Sequence, residues 1–366
     1  MKETSYILVV IMMKRIKLNS KIYKQCPLAL SILVLIYCAV TYSAQLTQGV
    51  KKGLVMCTTT LVPSLFVFLI ISSYITSGRC ADVLSVILDK PSKKLLKISG
   101  TNLCVLLISM IGGYPVGAIC IKSLYETQRI SKAQAQKLSL MAVCSGVGFV
   151  TSFVGNTLLK NKTLTMILFI SVVVSYVFVV FVCHLLIKAD SESNTIFPFQ
   201  NNSDIVKAVE NGCKATMNMC AMVMLFSAVI SVFGKIFSTH DVISDIICIL
   251  LEVCTACETS VSNYPLYVTS FVIGFGGICV HFQIFSILKD IGVNKGLFFF
   301  VRIIQGITCA VTTYILLIFI EPKVSVFSTT TEIIPENSTT VWGSVALMLT
   351  AVCFLNSIKF SNNHRR

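Results

Sequence analysis

Charge is scarce in this chain. Asp, Glu, Lys and Arg make up 13% of its 366 residues, where an average soluble domain carries about 25%. With 55% hydrophobic residues and a mean hydropathy of +0.84, a water-soluble globular domain is excluded. Acids are scarcer still, 16 against 30 Lys and Arg. In a soluble protein that excess would point to nucleic acid. Here the basic residues sit in short segments between apolar runs, where they write membrane topology, so nucleic-acid binding is set aside. Catalytic signatures are missing too: there is no HExxH, no GxSxG, no Gly-rich phosphate loop followed by GK, and no pair of intramembrane aspartates. Neither an enzyme activity nor a cofactor is expected.

Sixteen cysteines have the number of a disulfide framework but not its placement. Cys57, Cys104, Cys183, Cys248 and Cys309, among others, lie inside apolar runs at no shared spacing, and a free cysteine there behaves as a small buried hydrophobe. The one close pair, Cys254-Thr255-Ala256-Cys257, has the spacing of a redox or zinc motif but no further ligands nearby in sequence. No metal site is expected.

Crossing the hydrocarbon takes about 20 apolar residues. Runs that meet this lie at 26–44, 54–76, 137–159, 163–187, 215–237, 266–288 and 297–320, with a shorter one at 341–358. Two further stretches are not plain spans. Residues 102–121 are broken by Gly112-Gly113-Tyr114-Pro115, and 242–263 turn small and polar from Glu252 onward. Both fit re-entrant hairpins, because broken backbone at membrane depth is tolerated only where protein or a cavity surrounds it. With both as hairpins, 23 Lys/Arg fall on the cytoplasmic side and 6 outside; with both as full spans the split is 19 against 10. The positive-inside rule favours hairpins and puts them on opposite faces. The fold expected is therefore an all-α integral membrane protein of about eight transmembrane helices with two oppositely oriented re-entrant hairpins, an inverted repeat.

Its parts are a basic cytoplasmic N-terminus (1–25), two spans and a cytoplasmic loop (26–101), a first repeat (102–187), a cytoplasmic linker (188–214), a second repeat (215–320), and an outer loop, last span and basic cytoplasmic tail (321–366). A short interfacial helix is expected at 203–212, and Ser131 with Gln134 has the form of a capping box. Each repeat runs from its hairpin into a span interrupted by glycines: Ser145-Gly146-Val147-Gly148 in the first, Gly274-Phe275-Gly276-Gly277 in the second. Paired interruptions of this kind point to a transporter's midplane site.

The stretches GGYPVGAICIKSLYETQRISKAQAQKL (112–138) and GFGGICVHFQ (274–283), with Val62-Pro63-Ser64-Leu65-Phe66, Leu250-Leu251-Glu252 and Arg302, resemble the sporulation integral membrane protein family. That family belongs to the nucleoside-recognition (Gate) domain group, which is similar in architecture to concentrative nucleoside transporters. The chain departs from the family pattern at Val143-Cys144-Ser145-Gly146-Val147, which lacks an asparagine and a Gly-Pro, and at Thr255-Ala256, where a glycine is usual. The resemblance implies a sporulation-associated transporter in the bacterial cell membrane, of the forespore or mother cell; the Lys/Arg bias puts both termini in the cytoplasm. The resemblance also suggests passage of a small anion such as dipicolinate. A non-transporting envelope protein that recruits partners is the alternative.

The expected substrate-binding residues are the tips Gly112, Gly113, Tyr114 and Pro115 with Glu252 and Thr255, the breaks Ser145, Gly146, Gly276 and Gly277, and His281, Gln283 and Arg302. Glu252 is the one acid at hairpin depth, where a carboxylate must be protonated, paired or hydrated. It is a candidate for coupling a proton or cation, or for pairing with Arg302 or Lys214. His281 and Gln283, two residues apart, point to different faces of a helix, so one of them is expected to reach the site. Arg302 either snorkels to the cytoplasmic face or neutralises an anionic solute. The partners expected are the lipid bilayer and a small solute; homo-oligomerisation is left open.

Overall fold

The computed structural model describes residues 36–320 except 38, 78, 96–97, 188–204 and 238–240. The N-terminus 1–25, most of the run 26–44, the first part of the 188–214 linker and the last span 341–358 lie outside the described residues. Every described element is helical. In order they are α1 (Ser43–Met56), a π-helical turn (Cys57–Leu61), α2 (Val62–Ser77), α3 (Arg79–Leu95), α4 (Gly100–Gly112), α5 (Tyr114–Glu126), α6 (Lys132–Met141), a π-helix (Phe149–Leu159) and α7 (Lys162–Leu186). There follow α8 (Ile205–Ile236), α9 (Asp241–Leu251), α10 (Val253–Asn263), α11 (Leu266–Phe275), α12 (Gly277–Ile287) and α13 (Lys295–Phe319). Five stretches are long and apolar enough to cross a bilayer: Ser43–Ile75, Lys162–Leu186, Ile205–Ile236, Leu266–Ile287 and Lys295–Phe319. The described part of the chain is thus all-α, with the long apolar helices of a multi-pass membrane protein.

Local sequence starts these helices where capping chemistry permits. The capping box forms: Gln134 N–H donates to Ser131 Oγ (3.2 Å) and Ser131 N–H to Gln134 Oε1 (2.9 Å), satisfying two otherwise orphan donors. Asn161 and Asn294 cap the two 25-residue helices α7 and α13, each accepting a backbone N–H at 3.1 Å. The element order is the same before both caps. A helix pair (α4–α5, α9–α10) leads to a broken helix (α6 with the π-helix, α11 with α12) and then to the long helix.

Three segments differ from the sequence expectation. Residues 45–53 are helical rather than a loop, because Gly49 and Gly53 turn that face into a close-packing seam. A Cβ on Gly49 would lie 2.6 Å from Ala228 Cα, and one on Gly53 2.8 Å from Met224 Cα, both on α8. In lipid, where apolar burial gives no drive between helices, such small-residue contact is what holds them. The cytoplasmic loop expected at 77–101 holds α3, which exposes Val83, Val86 and Ile87 beside Lys90 and Lys93, the make-up of a helix lying in an interface. The end of the linker and the span 215–237 form one 32-residue helix, α8, that passes through the place of the short helix expected at 203–212.

Interhelical hydrogen bonds tie the interior together. Ser109 Oγ donates to the Ala142 carbonyl (2.7 Å), Tyr176 Oη to the Leu106 carbonyl (3.0 Å) and Ser260 Oγ to Thr269 Oγ1 (3.0 Å). Each is worth of order 1 kcal/mol in a membrane.

Candidate functional site

Both helix pairs break at a tip, and both tips meet a break. Between α4 and α5 the chain turns at Gly113 (φ +88°), a backbone region that disfavours any side chain. Its backbone lies on that of Gly146: a Cβ on Gly146 would sit 2.9 Å from Gly113 N, and one on Gly113 3.0 Å from Gly146 N. Gly146 belongs to the non-helical stretch after α6. In the second half, a Cβ on Gly277 (φ +73°) would sit 3.1 Å from Val253 N, at the α9–α10 tip. Tyr114 crosses between the halves. Its hydroxyl donates to the Ile273 carbonyl, one of the orphan acceptors at the end of α11, and its ring lies against Gly276.

Two buried charges sit at the broken helix ends. Glu252 is fully buried and caps α10; Cys254 N–H donates to Oε1 (2.9 Å) and Thr255 N–H to Oε2 (2.7 Å). Arg302, also fully buried, donates to the carbonyls of Leu140 (2.6 Å) and Val143, where α6 ends, and to Gln305 Oε1. Its guanidinium lies 5.5 Å from the Phe298 ring centroid. An acid at a helix N-terminus and a base at a C-terminus each oppose the helix dipole. These contacts replace the expected ones. Arg302 does not snorkel, Glu252 and Arg302 do not pair, and Lys214 is bound to Glu210 at 2.6 Å.

An inner cavity of about 50 Å³ lies between the tips, room for a few waters but not for a solute. Gly112, Gly113, Tyr114, Pro115, Gly146, Glu252 and Gln283 share its wall. Ser145, Thr255, Gly276, Gly277, His281 and Arg302 do not line it. Ser145 is buried next to Tyr114, while Thr255 and the two glycines shape the tip and the break. Of the pair on α12, Gln283 faces the cavity. His281 is packed among Phe275, Phe298 and Phe299, with ring centroids 4.9–5.4 Å away. Cys254 and Cys257 are free and buried, and no cluster of metal-ligating side chains occurs among the described residues.

A larger, open cavity of about 830 Å³ adjoins the inner one, and Pro115, Met219 and Gln283 belong to both walls. It was not expected from sequence. Its signal is a polar stripe on α8, Lys207, Asn211, Lys214 and Asn218, at the 4-3-4 spacing of one helical face. Comparison with known proteins finds no family model, curated protein or solved structure that matches this chain.

Proposed function

We propose that this chain is a membrane transporter that moves a small polar solute by alternating access. The solute is an anion such as dipicolinate, and the membrane is the one around the forespore, as the likeness to the sporulation family implies. In this reading about eight helices span the bilayer and both termini are cytoplasmic. The pairs α4–α5 and α9–α10 are re-entrant hairpins inserted from opposite faces.

The observation that carries the proposal is the meeting of both tips and the first break around one small cavity, with the second break packed on the second tip through Gly277. Unwound backbone at such a depth is costly unless it lines a site or is enclosed by protein, and this chain keeps two such breaks, each packed on a tip through glycine. Broken helices in corresponding halves are where transporters bind solute. The 50 Å³ inner cavity corresponds to a closed arrangement, with the wall at Pro115, Met219 and Gln283 between it and the open side. A coupling proton or cation would compete with the Cys254 and Thr255 N–H groups for the Glu252 carboxylate. The test is the dicarboxylate content of spores and mother cells with and without the gene. Loss of a small dicarboxylate from the spore alone supports transport. Normal content with a defective envelope favours the assembly alternative.

A further inference from the structure

Each break is held from the opposite half of the chain. The last bond of α6 runs from Ala142 N–H to the Leu138 carbonyl (2.7 Å), and the last bond of α11 from Gly276 N–H to the Val272 carbonyl (2.9 Å). Carbonyls beyond those bonds have no N–H of their own helix to accept from. At the first break Arg302, on α13 of the second half, donates to the Leu140 and Val143 carbonyls. At the second break Tyr114, on the tip of the first half, donates to the Ile273 carbonyl.

Contacts through glycine join the two fastenings into a ring. The first break seats the first tip, backbone on backbone, at Gly146 and Gly113, and Tyr114 follows Gly113 directly. Beyond Ile273 the ring closes on α13: a Cβ on Gly274 would lie 2.8 Å from Gly306 Cα, and the hydroxyls of Ser270 and Thr313 share a hydrogen bond. We infer that these contacts form a crossed latch, which makes the two breaks open together. Backbone seated on glycine leaves neither break room to shift alone, because packed interiors pass displacement on rather than absorb it. Coupling of this kind is reciprocal, so loosening either fastening must be felt at both breaks. That joint opening serves alternating access rests on the transport reading; the coupling itself stands on the contacts.

Buried native thiols report on the parts: Cys144 in the first break, Cys279 just after the second, and Cys57 away from both, at the π-helical turn against Cys220 of α8. The full chain in nanodiscs is pulsed with N-ethylmaleimide, and modification of each cysteine is read by mass spectrometry. Where closing outpaces labelling, the rate follows the population of the open form. Tyr114→Phe removes a hydroxyl and keeps the ring. It should speed Cys144 and Cys279 alike by about threefold, the equivalent of an average interhelical hydrogen bond in a membrane. Arg302→Met should speed both by more. Tyr176→Phe is the control, because it removes a hydroxyl bonded within the first half, to the Leu106 carbonyl; it should leave Cys279 at the wild-type rate. Should Arg302→Met fail to fold, the two Phe variants carry the test. Tyr114→Phe that frees Cys279 alone, or Arg302→Met that frees Cys144 alone, overturns the latch. So does Cys279 freed equally by Tyr176→Phe, or Cys57 freed along with the others, since either means general loosening. Joint labelling without flux in vesicles leaves the latch standing and retires the transport reading.

Discussion

Removing the Arg302 guanidinium should unfasten the first broken helix. Its side chain is fully buried and donates to the Leu140 carbonyl at 2.6 Å, to the Val143 carbonyl and to Gln305 Oε1. In Arg302→Met those three acceptors lose their donor in a place closed to water. A buried unsatisfied acceptor costs about 1–3 kcal/mol, and three are left without their donor. The expected loss is therefore about 3–9 kcal/mol, a large part of a domain's typical 5–15 kcal/mol. Arg302→Lys keeps the charge, but an ammonium cannot span acceptors arranged for a planar fork, and about half that loss is expected. Thermal unfolding in detergent at a fixed scan rate, followed with a thiol-reactive dye, reads this directly. Ten of the twelve cysteines whose side chains the structure describes are buried and become reactive only on opening. Both variants should open several degrees early, Met more than Lys. If both open at the wild-type temperature but lose solute binding, Arg302 serves the solute rather than the break.

Glu252→Gln replaces an acceptor that holds two N–H groups with one carbonyl oxygen and an NH2 that repels the second donor. It should cost about 1–3 kcal/mol by the same unfolding assay and flatten any pH dependence of flux in vesicles. Wild-type stability and pH profile together would remove Glu252 from both roles. Asp89 is held below the usual carboxylate range by Lys93 (2.8 Å) and by the Gly100 N–H at the start of α4 (3.1 Å). A lowered value means the stabilisation is complete above the unfolded pKa of about 3.9 and disappears as pH falls through the folded one. Asp89→Asn should thus cost up to about 1 kcal/mol at neutral pH, as for an exposed pair, with the gap closing in acid; a gap that persists in acid refutes this. Single cysteines at Arg129 or Asn194, with the accessible native cysteines removed, should resist an impermeant thiol reagent in intact cells. Efficient labelling from outside would exclude the cytoplasmic assignment of both loops and, with it, opposed hairpins.

Apolar runs, paired glycines and the capping box made the helices, both breaks and both tips legible in sequence. Hydrophobicity and backbone freedom are local properties, and the sequence displays them directly. The roles of the buried charges were not legible. Glu252 and Arg302 stand out by composition, but their partners are backbone groups, which carry no sequence signature. Arg302 reaches Val143 across 159 residues. Residues 45–53 hid their helix because Lys51 and Lys52 interrupt the apolar run, while the signal lay in the Gly49-x-x-x-Gly53 seam. The open cavity was concealed in the same way. Read as topology signals, Lys207 and Lys214 belong to a linker; read at helical spacing with Asn211 and Asn218, they form one face.

The most direct test is uptake of radiolabelled pyridine-2,6-dicarboxylate into vesicles reconstituted with the purified chain. The proposed function requires saturable, time-dependent uptake above that of empty vesicles, competed by unlabelled dicarboxylate and not by the 2,6-diamide. Uptake no faster than in empty vesicles, by protein whose thermal unfolding shows it to be folded, would contradict it.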